Sequence, residues 1–135
     1  MAIFLTEDNV QQLLPITDAI EALEKAFKEQ GNGTASNLYR SRVQAGDVGI
    51  TMMVAALGSR KVAGFKCMGT GGSMVLLYGG EKNQLLAVLE GRSLGQIRTG
   101  AASALASRYM APEHASSVGI IGTGHQAETQ LKGTC

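Results

Sequence analysis

Four places along this 135-residue chain carry residue types that could do chemistry. Near the end, Gly122-Thr123-Gly124-His125-Gln126-Ala127 has the spacing G-x-G-x-x-A. In that pattern the first glycine makes a tight turn, the second lets backbone approach a phosphate, and the small third residue lets a helix pack on a strand. Upstream, Arg98 and Thr99 stand close to the predicted start of an alanine-rich helix, where a bound anion would reconcile the guanidinium with the helix dipole. Lys66 interrupts an apolar run, Val62-Ala-Gly-Phe-Lys-Cys-Met68, and Arg40 and Arg42 flank Ser41. Spacing alone leaves the bland readings open at each place. The glycines fit an ordinary strand–helix turn, Arg98 a solvated first turn, and Lys66, Arg40 and Arg42 the wet face of a sheet. His114, His125 and Cys67 have no partner that suggests a metal site or a catalytic triad, and Cys67 reads as a small core residue.

The elements that must position these residues follow from periodicity. Thr6 caps a short helix stopped by Pro15, and a second helix, capped by Thr17 or Asp18, puts Ile20, Leu23 and Phe27 on one face and ends at Gly31. Gly31 to Ser36 reads as turn. Strands are predicted over Val48–Leu57, Lys61–Met68, Ser73–Tyr78 and Gln84–Glu90, and connections this short force antiparallel pairing. From Ser93 to Met110 the pattern is helical, with Ile97, Ala101, Leu105 and Tyr109 on one face. A closing strand, Val118–Ile121, would feed the glycine turn and a helix from Ala127 to Leu131. That last helix is expected to be poorly supported, because short helices depend on packing.

Composition removes several classes of function. Net charge is +1, so there is no broad basic field for nucleic acid and no polybasic surface for a membrane. The longest mostly apolar run, Gly49 to Gly58, is far short of the roughly 20 residues that span a bilayer. Two cysteines without metal or disulfide spacing fit a reducing, cytoplasmic compartment. With aromatics at only 4%, the core must be built from Ala, Val, Ile, Leu and Met.

Taken in order, the segments resemble the ornithine cyclodeaminase / mu-crystallin family. The matching pieces are Leu14–Phe27, Tyr39-Arg-Ser-Arg42, Gly64-Phe-Lys66, Val75–Tyr78, Leu86–Gly91, Ile97–Ala106 and Gly119–Ala127. The Arg-Thr-(small)-Ala-Ala-Ser-Ala-Leu-Ala stretch followed closely by the glycine turn is the most specific of them. The resemblance implies an α+β fold. Residues 1–115 would form a substrate-binding and dimerisation domain of helices and mostly antiparallel sheet, and residues 116–135 would open a truncated Rossmann domain.

It further implies NAD or NADP as cofactor, and hydride transfer between the α-carbon of an amino acid and the nicotinamide by way of an imine. By that similarity Arg40, Lys66 and Arg98 converge on the substrate carboxylate, with Arg42 the alternative to Arg40. Thr99, Gly122, Thr123, Gly124, Gln126 and Ala127 meet the cofactor. Partners would be a small amino-acid or imino-acid substrate and a second copy of the chain, paired through the sheet. The chain also departs from the family. It lacks the region of the acid/base aspartate, so it is expected to be inactive alone, and its 67–74 loop is short. Thr51 stands where ornithine-acting members place a glutamate. The alternative reading is a non-enzymatic dimerisation or small-ligand-binding module derived from that family.

Overall fold

The computed structural model describes all 135 residues. Its middle is a seven-stranded sheet, assembled from β1 (Ile3–Leu5), β2 (Ala35–Asn37), β3 (Ser41–Ala45), β4 (Val48–Leu57), β5 (Val62–Gly69), β6 (Gly72–Gly79) and β7 (Gln84–Glu90). The order is β1-β7-β6-β5-β4-β2, with β3 also pairing β4. The strands β4 to β7 form an antiparallel meander, and β1 joins its edge in parallel with β7. The β4–β5 and β6–β7 turns close with Lys61 N–H on Gly58 O (3.1 Å) and Asn83 N–H on Gly80 O (3.2 Å).

Helices flank this sheet. They are α1 (Glu7–Leu13), α2 (Ile16–Gly31), α3 (Arg92–Met110) and α4 (Ala127–Thr134). Thr6 caps α1 as expected, accepting from Asn9 N–H while the Asn9 side chain accepts from Thr6 N–H. The start of α2 differs: Pro15 is its N-cap and Thr17 and Asp18 lie inside its first turn, because a proline needs no donor there. The best-buried apolar cluster lies between α2 and α3, where Ala19, Ile20, Ala101, Ala104 and Leu105 meet.

Two further expectations are corrected. The segment Gly31–Ser36 is only partly turn, since Ala35 and Ser36 open β2, and the three-residue β1 carried too little pattern to be visible. Val118–Ile121 forms no strand. A strand needs a neighbour for its backbone donors and acceptors, and no strand of the sheet pairs with this segment. Ile121 is fully exposed at 105%.

The closing helix is better supported than its length suggests. The helices α3 and α4 approach closely over small residues, with Gly100 of α3 against Thr129 of α4 and Gly133 against Gly100 O and the Ala104 methyl. Thr129 is buried, and its hydroxyl bridges Gln96 O and Gln126 O at 3.1 Å each. A methyl group added at Gly100 would overlap the Thr129 backbone and stand 2.8 Å from its Cβ. In a free helix Gly→Ala stabilises by roughly 0.5–1 kcal/mol. At this contact the overlap reverses the sign, and Gly100→Ala is expected to cost about 1–3 kcal/mol by thermal or urea unfolding. Amide exchange in α4 should accelerate with it. A stabilised Gly100→Ala variant would mean that α4 does not dock on α3 in solution.

Candidate functional site

The site is built on a row of the sheet. Register sets Met53, Lys66, Val75 and Leu89 side by side on β4, β5, β6 and β7, all pointing to the same face. The adjacent row on that face holds Ala55, Gly64, Leu77 and Ala87. On the far side of β4 the edge strand is interrupted. Asn37 pairs Ala55 and Ser41 pairs Met52, so three residues, Leu38, Tyr39 and Arg40, stand against two. Such an irregularity kinks an edge strand and re-aims its side chains. Arg40 is thereby brought to the same hollow as Lys66, an open depression of about 590 Å³ lined also by Met53, Val75 and Leu77.

Lys66 reaches from the sheet to α3. Its Nζ donates to Gly91 O at 3.1 Å, and Gly95 lies so close that an added Cβ would stand 2.7 Å from Nζ. Partial burial pushes the Lys66 ammonium below the usual lysine range. The positive charge of Arg98 pushes the same way, and the carboxylate of Glu7 pulls it back up in part. Lys66 and Arg98 therefore stand near enough to repel, and neither takes part in an ion pair. Of the predicted substrate cations, Arg40 and Lys66 share the hollow and Arg98 lies beside Lys66 on α3.

The start of α3 lies one residue ahead of the expected Ser93, but Arg98 and Thr99 are farther from it than the sequence reading placed them. The helix begins at Arg92, so Arg98 and Thr99 sit in its second turn and cannot act through its N-terminus. The anion at that end belongs to the protein. Glu7, at the start of α1, accepts from Arg92 N–H (2.8 Å) and Ser93 N–H (2.6 Å), while its own N–H donates to Glu90 Oε2 at 2.6 Å. Gln11 completes the knot with a 2.9 Å bond to Ser93 Oγ. Sequence reading missed Glu7 because its partners lie some 85 residues away, and its visible role as a first-turn acid of α1 is sufficient on its own. The hydroxyl of Thr99 donates to Gly95 O at 2.7 Å within α3.

The glycine loop is exposed along its length. Gly122 has φ +101°, a conformation that disfavours any side chain, and the Cβ positions of Gly122 and Gly124 face open space. No side chain caps α4, whose N-cap is Gln126, and the loop is tied to α3 by a bond from the Gln96 side chain to His125 O. Thr123 is exposed within the loop, and Ala127 opens the helix behind it. Uncovered backbone, a glycine-only turn and a free helix start fit the pyrophosphate end of a dinucleotide.

The ornithine cyclodeaminase/mu-crystallin family model matches residues 1–134. The chain belongs to that family. A crystal structure of the iminosuccinate reductase of Paracoccus denitrificans in complex with NAD+ superposes with a TM-score of 0.90 at 28% identity, covering 97% of this chain and 45% of that one. An archaeal alanine dehydrogenase dimer with bound NAD gives 0.89 at 28%, covering 98% and 44%. The Thermococcus litoralis Δ(1)-pyrroline-2-carboxylate reductase, with NADH and L-proline, gives 0.85 at 28%, covering 100% and 46%. The chain spans less than half the length of the curated relatives it matches.

The Glu7 knot makes a measurable prediction. Partial burial raises the Glu7 carboxyl, but bonds from the Ser93 hydroxyl and the Ser93 and Arg92 amides outweigh it and hold the group below the usual carboxylate range. A depressed carboxyl stabilises the fold above the ordinary glutamate value near 4.3, and that contribution fades as pH falls through the lowered folded-state value. Glu7→Gln should cost about 0.5–2 kcal/mol at pH 7, the range for a lost helix cap. The gap from the parent protein should shrink in chemical denaturation run at progressively lower pH. A constant gap from pH 7 to 3 would show that the charge of Glu7 contributes nothing.

Proposed function

We propose that this chain supplies the substrate pocket and the pyrophosphate turn of an NAD- or NADP-dependent oxidoreductase acting on amino or imino acids, in the sense of amino-acid deamination or ketimine reduction. The observation that supports the reading is that Lys66 shares a hollow with Arg40 and feels the positive charge of Arg98, while none of the three is in an ion pair. The four ion pairs of the molecule all lie elsewhere. Keeping like charges together in a partly buried place costs free energy unless an anion joins them. A substrate α-carboxylate is such an anion: it accepts from several charged donors at once, and an arginine can grip it with two parallel bonds.

The division of labour follows from position. The ammonium of Lys66, fixed by Gly91 O, would hold one carboxylate oxygen, and Arg98 and Arg40 would close on the same group from α3 and from the strand edge. The bound dinucleotide supplies the hydride acceptor or donor. This chain orients the α-carbon by gripping the carboxylate beside it. The glycine loop and the start of α4, which Gly100 and Thr129 tie to α3, are the elements that would receive the pyrophosphate, with Thr99 nearby on the same helix.

A second copy of the chain is the partner that the sheet's other face supports. There Phe4, Val88, Leu76, Phe65 and Val54 form one row, with Phe65 stacked on Tyr78 at 6.5 Å between ring centroids. None of these residues is buried within one chain, and Phe4 is 57% exposed. An apolar face of this extent is characteristic of an interface. Phe4→Glu should weaken self-association at least tenfold by analytical ultracentrifugation, and a parent chain that is monomeric at high concentration would exclude the pairing.

The carboxylate site is tested by titrating pyruvate onto the protein and following backbone amide shifts. Lys66→Gln and Arg98→Gln should each weaken binding at least tenfold. Gly95→Ala, which crowds the ammonium at the flexible end of a side chain, should weaken it with little loss of stability. Affinity should fall as pH rises, because the lowered Lys66 gives up its proton earlier than an ordinary lysine. Pyruvate binding unchanged in both charge-removing variants would sink the proposal.

A further inference from the structure

We infer that the hollow beside Lys66 favours substrates with an apolar side chain over those with a distal ammonium. The inference rests on the carboxylate reading above and concerns the opposite end of the same ligand. Once Lys66 holds the carboxylate, a side chain directed into the hollow meets the sheet row beyond it. Met53 and Val75 flank Lys66 directly, and Ala55, Gly64 and Leu77 form the next row. Successive side chains on one face of a strand stand roughly 7 Å apart, about the length of a four-atom side chain. The tip of such a substrate therefore lies over Ala55, Gly64 and Leu77.

No aspartate or glutamate lines this hollow. Its polar side chains are those of Asn37, Tyr39, Arg40 and Lys66, and the rest are apolar or glycine. Glu7, the one carboxylate whose charge is felt at Lys66, is already committed to Arg92 N–H and Ser93 N–H. A distal ammonium would find no counter-ion there. It would lose hydration against the Ala55–Leu77 floor and be repelled by Arg40 and Lys66. A methyl group in its place would bury apolar area against the same floor.

L-Norleucine and L-ornithine make the comparison clean, because their side chains have equal numbers of heavy atoms and differ at the tip in methyl against ammonium. Each is titrated onto the full chain at pH 7, alongside L-glutamate, with amide shifts as the readout. Norleucine is expected to bind at least tenfold more tightly than ornithine. Lys66→Gln should weaken both. Ala55→Glu, placed at an exposed strand position, should shrink the gap at least fivefold by giving the ammonium a partner.

Binding of ornithine as tight as norleucine, still weakened by Lys66→Gln, would overturn the selectivity and leave the carboxylate site standing. If none of the three binds in a Lys66-dependent way, the carboxylate reading itself fails, and this inference with it. A gap between norleucine and ornithine that Ala55→Glu does not alter would place the side chain somewhere other than over this row, which also overturns the inference.

Discussion

The junction at the start of α3 is the constraint on which the remaining geometry depends. Glu7 binds the first two free amides of that helix, and Glu90, just ahead of it, binds the first amide of α1. Each helix thus receives its capping acceptor from the neighbourhood of the other. Two carboxylates satisfy donors that would otherwise be left open, and in doing so they lock the edge of the sheet to both helices. Lys66 ties the same junction from the sheet side through Gly91 O. The consequence is mechanical. The start and direction of α3 are set by bonds to α1 and to Lys66 of β5, and α3 then carries Arg98 toward Lys66 and Gly100 toward α4.

That second contact explains how a glycine loop with no strand beneath it still has a defined place. In a complete strand–turn–helix unit the strand would position the turn. Here Val118–Ile121 has no partner, and the helix behind the loop is instead held by close packing of small residues on α3, reinforced by the Thr129 hydroxyl and the Gln96 bond to His125 O. Arg98 and the glycine loop are therefore both held by α3. Any movement of α3 would shift both together, which keeps their separation fixed while the surroundings vary.

Much of the architecture was legible in sequence because it rests on local rules. The meander β4–β7 was visible in four apolar runs joined by turns too short for parallel crossover, and Gln84–Glu90 was bounded correctly by its flanking polar residues. The helix α1 announced itself through Thr6, three residues ahead of Asn9. What escaped detection depends on distant partners. The strand β1 is three residues long and exists only because β7 pairs with it, and Val118–Ile121 has strand composition but no neighbour. The extent of α3 was read to within one residue, but Arg98 was set too near its start, because the pattern of Ile97, Ala101 and Leu105 marks the helix's buried middle. Its first turn is stabilised by Glu7, which no window of neighbouring sequence contains. The cations were recognisable as a set only through family resemblance; the strand irregularity at Leu38–Arg40 that brings Arg40 to Lys66 is invisible until Asn37 and Ser41 are assigned partners.

The distribution of charge completes the argument. Four of the twelve basic residues are in ion pairs: Lys25 with Glu21, Lys28 and Arg108 with Glu24, and Lys132 with Glu128. Three of those four pairs are one helical turn apart and well exposed, the kind of contact that contributes little to stability. What sets Lys66 apart from the other unpaired cations is its partial burial. A partly buried ammonium is set beside a guanidinium, lowered in pKa by both burial and repulsion, and granted only a neutral carbonyl as partner. A sequence free to place glutamates one turn from lysines on its helices could have placed one here. Under the proposed function, leaving the site without a carboxylate of its own keeps the cations available, and an anion arriving from outside would recover the stability forgone there.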